Sequence, residues 1–238
     1  MRAAIEITEL SKGYRDFQLR GINLTVPEGA VVGLIGQNGA GKSTLIKCIL
    51  GLVKKDSGRV ALPCAGDGSG HDVRRHIGYV PETLTFYEWM KVGRLIRFAS
   101  AFYPGWDDAY ASELLRRYEL DPHKLVKHLS KGMLAKLALL VALAHKPPVL
   151  ILDEPTSGLD PLMKHQFLQE VRRISHTGAA KAVLISSHIL SEVERVADRV
   201  AVLRAGTLSR YEDTSVFLAG WSKIIFRPPH AGWLPPQQ

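Results

Sequence analysis

Residues 36–44 read Gly-Gln-Asn-Gly-Ala-Gly-Lys-Ser-Thr. They meet the spacing G-x-x-x-x-G-K-S/T through Gly36, Gly41, Lys42 and Ser43. No other run constrains the fold as strongly, because this loop works only between a strand and a helix. The chain supplies both. Residues 30–35 are a short apolar run, as a buried strand reads. Leu45, Ile46, Ile49 and Leu50 then recur at helical spacing, and Gly51 marks a stop. The glycines let backbone N–H groups turn inward around phosphate oxygens, where a Cβ would obstruct the approach. Lys42 is expected to reach the β- and γ-phosphates of a nucleotide and the Ser43 hydroxyl to ligate Mg2+. The helix start aims its positive end at the same anion, and Asn38, Gly39, Ala40 and Thr44 belong to the same cradle.

The remaining chain reads as alternating elements around this unit. Residues 3–8 and 18–26 alternate apolar and polar positions and predict an antiparallel pair, with Pro27-Glu28-Gly29 as a turn. Residues 58–62 and 77–80 predict two further strands, the second ended by Pro81, with an exposed flexible connection at 66–70. From Glu82 to about residue 146 the period becomes helical, over 88–101, 107–118 and 131–145, with Asp107 and Ser130 as N-caps. Nine aromatic residues fall between Phe86 and Tyr118. They read as the core of a small helical lobe, or in part as the lining of a groove for a partner helix. Strands at 149–152, 182–186 and 200–203 alternate with helices at 161–177 and 189–197, and Gly206 sits at a hairpin turn. The expectation is an α/β fold: a P-loop NTPase core with a mainly parallel sheet, an N-terminal antiparallel β subdomain and a small inserted helical subdomain. One domain covers 1–220, with 1–81 and 147–210 as core and β subdomain and 82–146 as helical subdomain. The Pro-rich tail, 221–238, is assigned no regular structure.

Composition narrows the function classes. At 238 residues, 46% hydrophobic and 23% charged, the chain is sized for one globular domain. Its longest apolar run, 137–144, falls well short of the ~18 residues of a membrane-spanning helix. Glu6 and Glu9 stand where a secretory signal needs an apolar core, so a cytosolic location is expected. The net charge of +8 suits nucleotide phosphates, an anionic membrane surface or nucleic acid, but the cations are dispersed and no nucleic-acid-binding signature accompanies them. Cys48 and Cys64 lack metal-ligand spacing, and Cys48 is expected to pack as a small apolar residue. The nine histidines form no metal-binding pair; His71 and His76 read as loop residues.

A second element carries chemistry. Residues 149–154, Val-Leu-Ile-Leu-Asp-Glu, end a buried strand in two carboxylates. In open α/β sheets ligands lie beyond the carboxyl ends of strands, so Asp153 and Glu154 are expected to project into the nucleotide site. Asp153 would hold Mg2+ opposite Ser43, and Glu154 would orient or deprotonate the attacking water.

With these two elements and five more, the chain resembles the nucleotide-binding subunit of ATP-binding-cassette (ABC) transporters. Leu129-Ser130-Lys131-Gly132-Met133 resembles the family's signature loop, and Ser157-Gly158-Leu159-Asp160 its D-loop. His188, after Ser186-Ser187, resembles the switch histidine. Tyr14 matches the aromatic that stacks on adenine, and Glu82, after Gly78-Tyr-Val-Pro81, occupies the Q-loop position. The match runs in order from about residue 3 to 210.

The resemblance implies an ATPase that binds ATP and Mg2+, with His188 donating a hydrogen bond to the γ-phosphate. Ser130 and Gly132, at a helix start, would hold the γ-phosphate of ATP bound by a second subunit, and Asp160 would lie at that shared interface. The implied assembly is a head-to-tail homodimer on separately encoded membrane subunits, peripheral on the inner face of the membrane, without direct nucleic-acid contact. Two motifs depart from the family pattern. Lys131 and Met133 replace a Gly and a Gln of the signature, and Glu82 replaces the Q-loop Gln. A carboxylate at 82 can bind Mg2+ or water but donates no hydrogen bond when ionised. These variants, with Phe102-Tyr-Pro-Gly-Trp106-Asp107, resemble the branch that powers multidrug and antibiotic exporters, many of which carry a longer C-terminal extension. The alternative is a soluble ABC ATPase acting on a nucleic-acid or protein assembly. A single cassette, with no long coiled-coil insertion between Lys42 and Asp153, argues against it.

Overall fold

Runs of Val, Ile and Leu too apolar for a half-exposed strand need cover on both faces. The computed structural model, which describes residues 2–65 and 74–220, supplies that cover. In chain order it contains β1 (Ala3–Gly13), β2 (Gln18–Pro27), β3 (Val31–Ile35), α1 (Lys42–Ile49), β4 (Ser57–Ala61) and β5 (Ile77–Val80). Then come α2 (Val92–Ser100), α3 (Asp108–Arg117), α4 (Lys131–Leu143), β6 (Val149–Asp153), α5 (Pro161–Thr177) and β7 (Ala182–Ser187). The last elements are α6 (Leu190–Glu194), β8 (Arg199–Arg204), β9 (Thr207–Asp213) and α7 (Thr214–Ala219). The expected loop at 66–70, His71 and the tail from Trp221 lie outside the described residues.

β1, β2 and β4 form an antiparallel sheet in the order β2-β1-β4, and six strands form a larger sheet in the order β5-β6-β7-β3-β8-β9. Its first five strands are parallel; β9 joins β8 antiparallel through the hairpin at Gly206. Alternation along these strands divides the interior in two. Val31, Leu150, Leu152, Val183, Ile185 and Val200 face a core shared with α2 to α5. Val32, Val149, Ile151, Ala182, Leu184 and Ala201 face a core shared with α1 and the antiparallel sheet. A strand residue and its neighbour thus serve opposite cores, as the two-residue period requires. Cys48 packs in the second core, as expected of a small apolar side chain.

Several boundaries differ from the sequence expectation. β1 continues past residue 8 to Gly13, with register shifts around Leu10 that carry the pairing beyond the break in alternation. The helix expected over 88–101 begins only at Val92. Residues around its start take distant backbone partners instead: Met90 O accepts from Val126 N at 2.9 Å, and Val92 N donates to Lys124 O at 3.0 Å. α6 stops at Glu194 rather than 197, because Asp198 turns the chain into β8. Its carboxylate accepts from Val31 N and its own N–H donates to Val31 O, both at 2.8 Å. Among the described residues no helix is long and apolar enough to cross a membrane.

Candidate active site

Parallel register brings the site together. β3, β6 and β7 are neighbours, with Ile35 beside Ser187 and Asp153 beside Ser186. Their carboxyl ends therefore carry the phosphate loop, the Asp153-Glu154 pair and His188 to one edge of the sheet, where ligands of open α/β folds lie. α1 begins at Lys42 directly after Gly41, which holds φ +106° and provides no side-chain cap. The N–H groups of the first turn are thus left for a ligand. A Cβ on Gly41 would come within 2.5 Å of Phe17 Cζ and 2.7 Å of Leu19 Cδ2, so only glycine fits both the angle and the space.

A cavity of about 520 Å3 opens over this loop. Of the expected residues, Asn38, Gly39, Gly41, Lys42, Ser43, Thr44, Glu82 and Glu154 line it. The volume falls within the roughly 300–1,000 Å3 of small-molecule sites. Asp16 and Phe17, in the turn between β1 and β2, also line it. Spacing marks neither residue; their only local signal is nearness to Tyr14.

The charged groups hold one another. Lys42 Nζ donates to Gly36 O at 2.7 Å and Gln37 O at 3.3 Å. It also lies 3.0 Å from Glu154 Oε1, an ion pair lacking hydrogen-bond alignment. Both partners are buried. Glu154 Oε2 meets His188 Nδ1 at 2.8 Å, so one carboxylate bridges the loop lysine and the switch-position histidine. Ser186 fixes the strand end: its hydroxyl donates to Asp153 Oδ1 at 2.7 Å and accepts from Glu154 N at 2.9 Å. Beside His188 in the sequence Ser186 carries no signal of its own, because its role depends on strand pairing, which spacing does not reveal. Glu154 itself sits at φ +47°, a left-handed conformation costing a non-glycine residue about 1–3 kcal/mol.

Tyr79 on β5 has its hydroxyl pKa pushed up to about 12, by burial first and then by the charges of Asp153 and Glu82. Those two acids thus stand within electrostatic reach of one ring. Ser43 and Glu82 line the cavity, whereas Asp153, at the end of β6, does not.

Other expected residues lie elsewhere. Tyr14 is half exposed, with the Lys12 ammonium 5.4 Å from its ring centroid, and does not line the cavity. Gly36 and Ala40 hold the loop from behind: a Cβ on Gly36 would meet Leu203 O at 2.6 Å, and Ala40 is buried. Ser130, Gly132 and Asp160 gather where α4 and α5 begin. Ser130 caps α4 by accepting from Met133 N at 3.3 Å, and Asp160 caps α5 by accepting from Met163 N at 2.9 Å. The Met163 side chain packs against Gly132, where a Cβ would lie 2.4 Å from its Cε. A separate cleft of about 380 Å3 runs between these helix starts and the 80–84 loop, and Glu82 lines both it and the first cavity.

Comparison with known proteins agrees with this arrangement. The family model described as ABC transporter matches residues 19–157. The chain is 32% identical over 222 residues to the ABC transporter ATP-binding protein YtrB of Bacillus subtilis, covering 92% of this chain and 75% of that protein. It is 35% identical over 209 residues to the lantibiotic transport ATP-binding protein SrtF of Streptococcus pyogenes, covering 86% and 88% of the two. A solved ATP-binding subunit of an ABC transporter superposes with a TM-score of 0.79 at 33% identity, covering 92% of this chain and 95% of that one. With the loop, strand ends and helix starts arranged as described, the chain belongs to the ABC transporter family, as an ATP-binding ATPase subunit.

Proposed function

We propose that the chain powers an exporter through ATP-driven pairing of two cassettes, with Glu154 as the residue that activates water. The observation that carries this is the bridge Lys42–Glu154–His188 at the mouth of the phosphate loop. Lys42 already has three acceptors around it, so the β- and γ-phosphates of ATP must take the place of Glu154. The displaced carboxylate is then free to orient or deprotonate a water in line with the γ-phosphate. His188 keeps Glu154 beside that water. A neutral imidazole donating through Nδ1 has no second proton, so a bond to the γ-phosphate through Nε2 requires the imidazolium. Tyr14, half exposed and outside the cavity lining, would stack on adenine.

Ser43, Asp153 and Glu82 would hold Mg2+, which would supply neutralising positive charge to the phosphates. Ser130, Gly132 and Asp160 do not line their own chain's cavity, which supports their serving the nucleotide of a second copy. The Q-loop and helical lobe, roughly residues 82 to 118, would pass the movement to membrane subunits. Glu82, shared between cavity and cleft, and the aromatic surface of Tyr87, Phe98 and Phe102 are its means. The lantibiotic-transport relative supports the exporter reading, and the place of work is then the cytoplasmic face of the membrane.

The test uses Glu154→Gln, which keeps the shape of the site and removes the base. With Mg2+ and ATP this variant is expected to sediment as a dimer holding one nucleotide per chain, and to return to monomer on chelation. A variant that binds ATP yet stays monomeric at every concentration would refute the two-cassette reading.

A further inference from the structure

A second buried carboxylate stands behind the site. Glu192, on α6 and 8% exposed, is absent from the hydrolytic reading above. Its Oε2 accepts from Thr156 Oγ1 at 2.8 Å and from Ser187 Oγ at 2.9 Å, and its Oε1 accepts from Lys164 Nζ at 3.0 Å. Each donor belongs to a different segment. Thr156 follows Glu154 by two residues, Ser187 immediately precedes His188, and Lys164 lies near the start of α5, just beyond Asp160. Ser187 Oγ also accepts from Ile189 N at 3.0 Å, which fixes the turn that presents His188.

Burial works against this charge, yet the hydrogen bonds from Lys164, Thr156 and Ser187 outweigh it and hold the Glu192 carboxyl below the usual range. This carboxylate accepts from three segments at once, so its hydrogen bonds hold those segments in one arrangement. Thr156 and Ser187 are themselves buried, so loss of their shared acceptor strands two hydroxyls.

We propose that Glu192 is a positioning residue that ties the segment after Glu154 to the segment before His188 and so sets the contact between those two side chains. The proposal rests on the reading of Glu154 and His188 as the hydrolytic pair. It adds a route by which the loop at 157–160, feeding α5 and Lys164, is mechanically joined to both.

The test compares wild type with Glu192→Ala, Glu192→Gln and Thr156→Val in the full chain. It reads phosphate release from Mg-ATP, the Kd of a fluorescent ATP analogue, and the melting temperature. Glu192→Ala is expected to lose about 30-fold or more in kcat while the Kd moves less than about threefold, the pattern of a defect confined to the chemical step. Glu192→Gln keeps the length and one acceptor oxygen, and is expected to recover about tenfold of that loss. Thr156→Val, with one donor removed, should fall by about 3- to 10-fold. A Glu192→Ala kcat within threefold of wild type, or a Kd that weakens in step with kcat, overturns the proposal. If Glu192→Ala does not fold, unchanged kcat in the other two variants overturns it equally. Glu154→Gln, run alongside, separates the two readings. Wild-type turnover in that variant removes the hydrolytic pair itself, whereas an inactive Glu154→Gln with an active Glu192→Ala removes only the role of Glu192.

Discussion

Lys42 and Gly41 show how much one position decides. The lysine is legible in the sequence because its spacing from Gly36 is fixed by the loop, and the structure puts its ammonium among Gly36 O, Gln37 O and Glu154. Gly41 is legible for the same reason, and the structure adds the cause: φ +106° with Phe17 and Leu19 pressed against the missing Cβ. Gly41→Ala should therefore destabilise the fold by about 1–3 kcal/mol and weaken ATP binding, as denaturant unfolding and a nucleotide titration would record; unchanged values in both would contradict this packing. Ser186 and Glu192 were not legible. Nothing local to a serine before a histidine, or to a glutamate four residues after it, says which carboxylates and hydroxyls the neighbouring strand will bring alongside.

Elements set by local signals matched their expectation most closely. α5 runs over Pro161–Thr177, where the proline and the Asp160 cap mark its start and Gly178 its end. α3 starts at its Asp107 cap for the same reason. The helix expected over 88–101 lost its first turn because residues 90 to 92 hydrogen-bond to 124 and 126, a pairing that no local period encodes. Asp107 also offers a test. The Lys146 ammonium beside it, with the Tyr110 N–H, holds its carboxyl below the usual aspartate range. A folded-state pKa below the unfolded value contributes stability that is present above the unfolded pKa and is lost as pH falls through the folded one. Asp107→Ala is expected to lower the melting temperature at neutral pH by about 2–4 °C. The gap from wild type should close as the pH drops below the aspartate range, while at neutral pH the variant binds ATP as wild type does. A gap that persists in acid would show that the carboxylate is not its source.

At the scale of the whole molecule, the alternation of strands and helices foretold the parallel sheet, and sheet order explains why three motifs far apart in the chain meet. Spacing did not foretell that β3 sits between β7 and β8, nor that Lys42, Glu154 and His188 end within hydrogen-bond distance in one chain. The starts of α4 and α5, with Ser130, Gly132 and Asp160, stand apart from that cavity, which fits a machine that acts in pairs. We propose that this edge of the sheet hydrolyses ATP with Glu154 as base. Its most direct test is the rate of phosphate release by wild type and Glu154→Gln, with ATP binding measured on the same samples. Glu154→Gln is expected to bind ATP within about threefold of wild type and to release phosphate slower by about 100-fold or more. Release by Glu154→Gln at a rate close to wild type would contradict it.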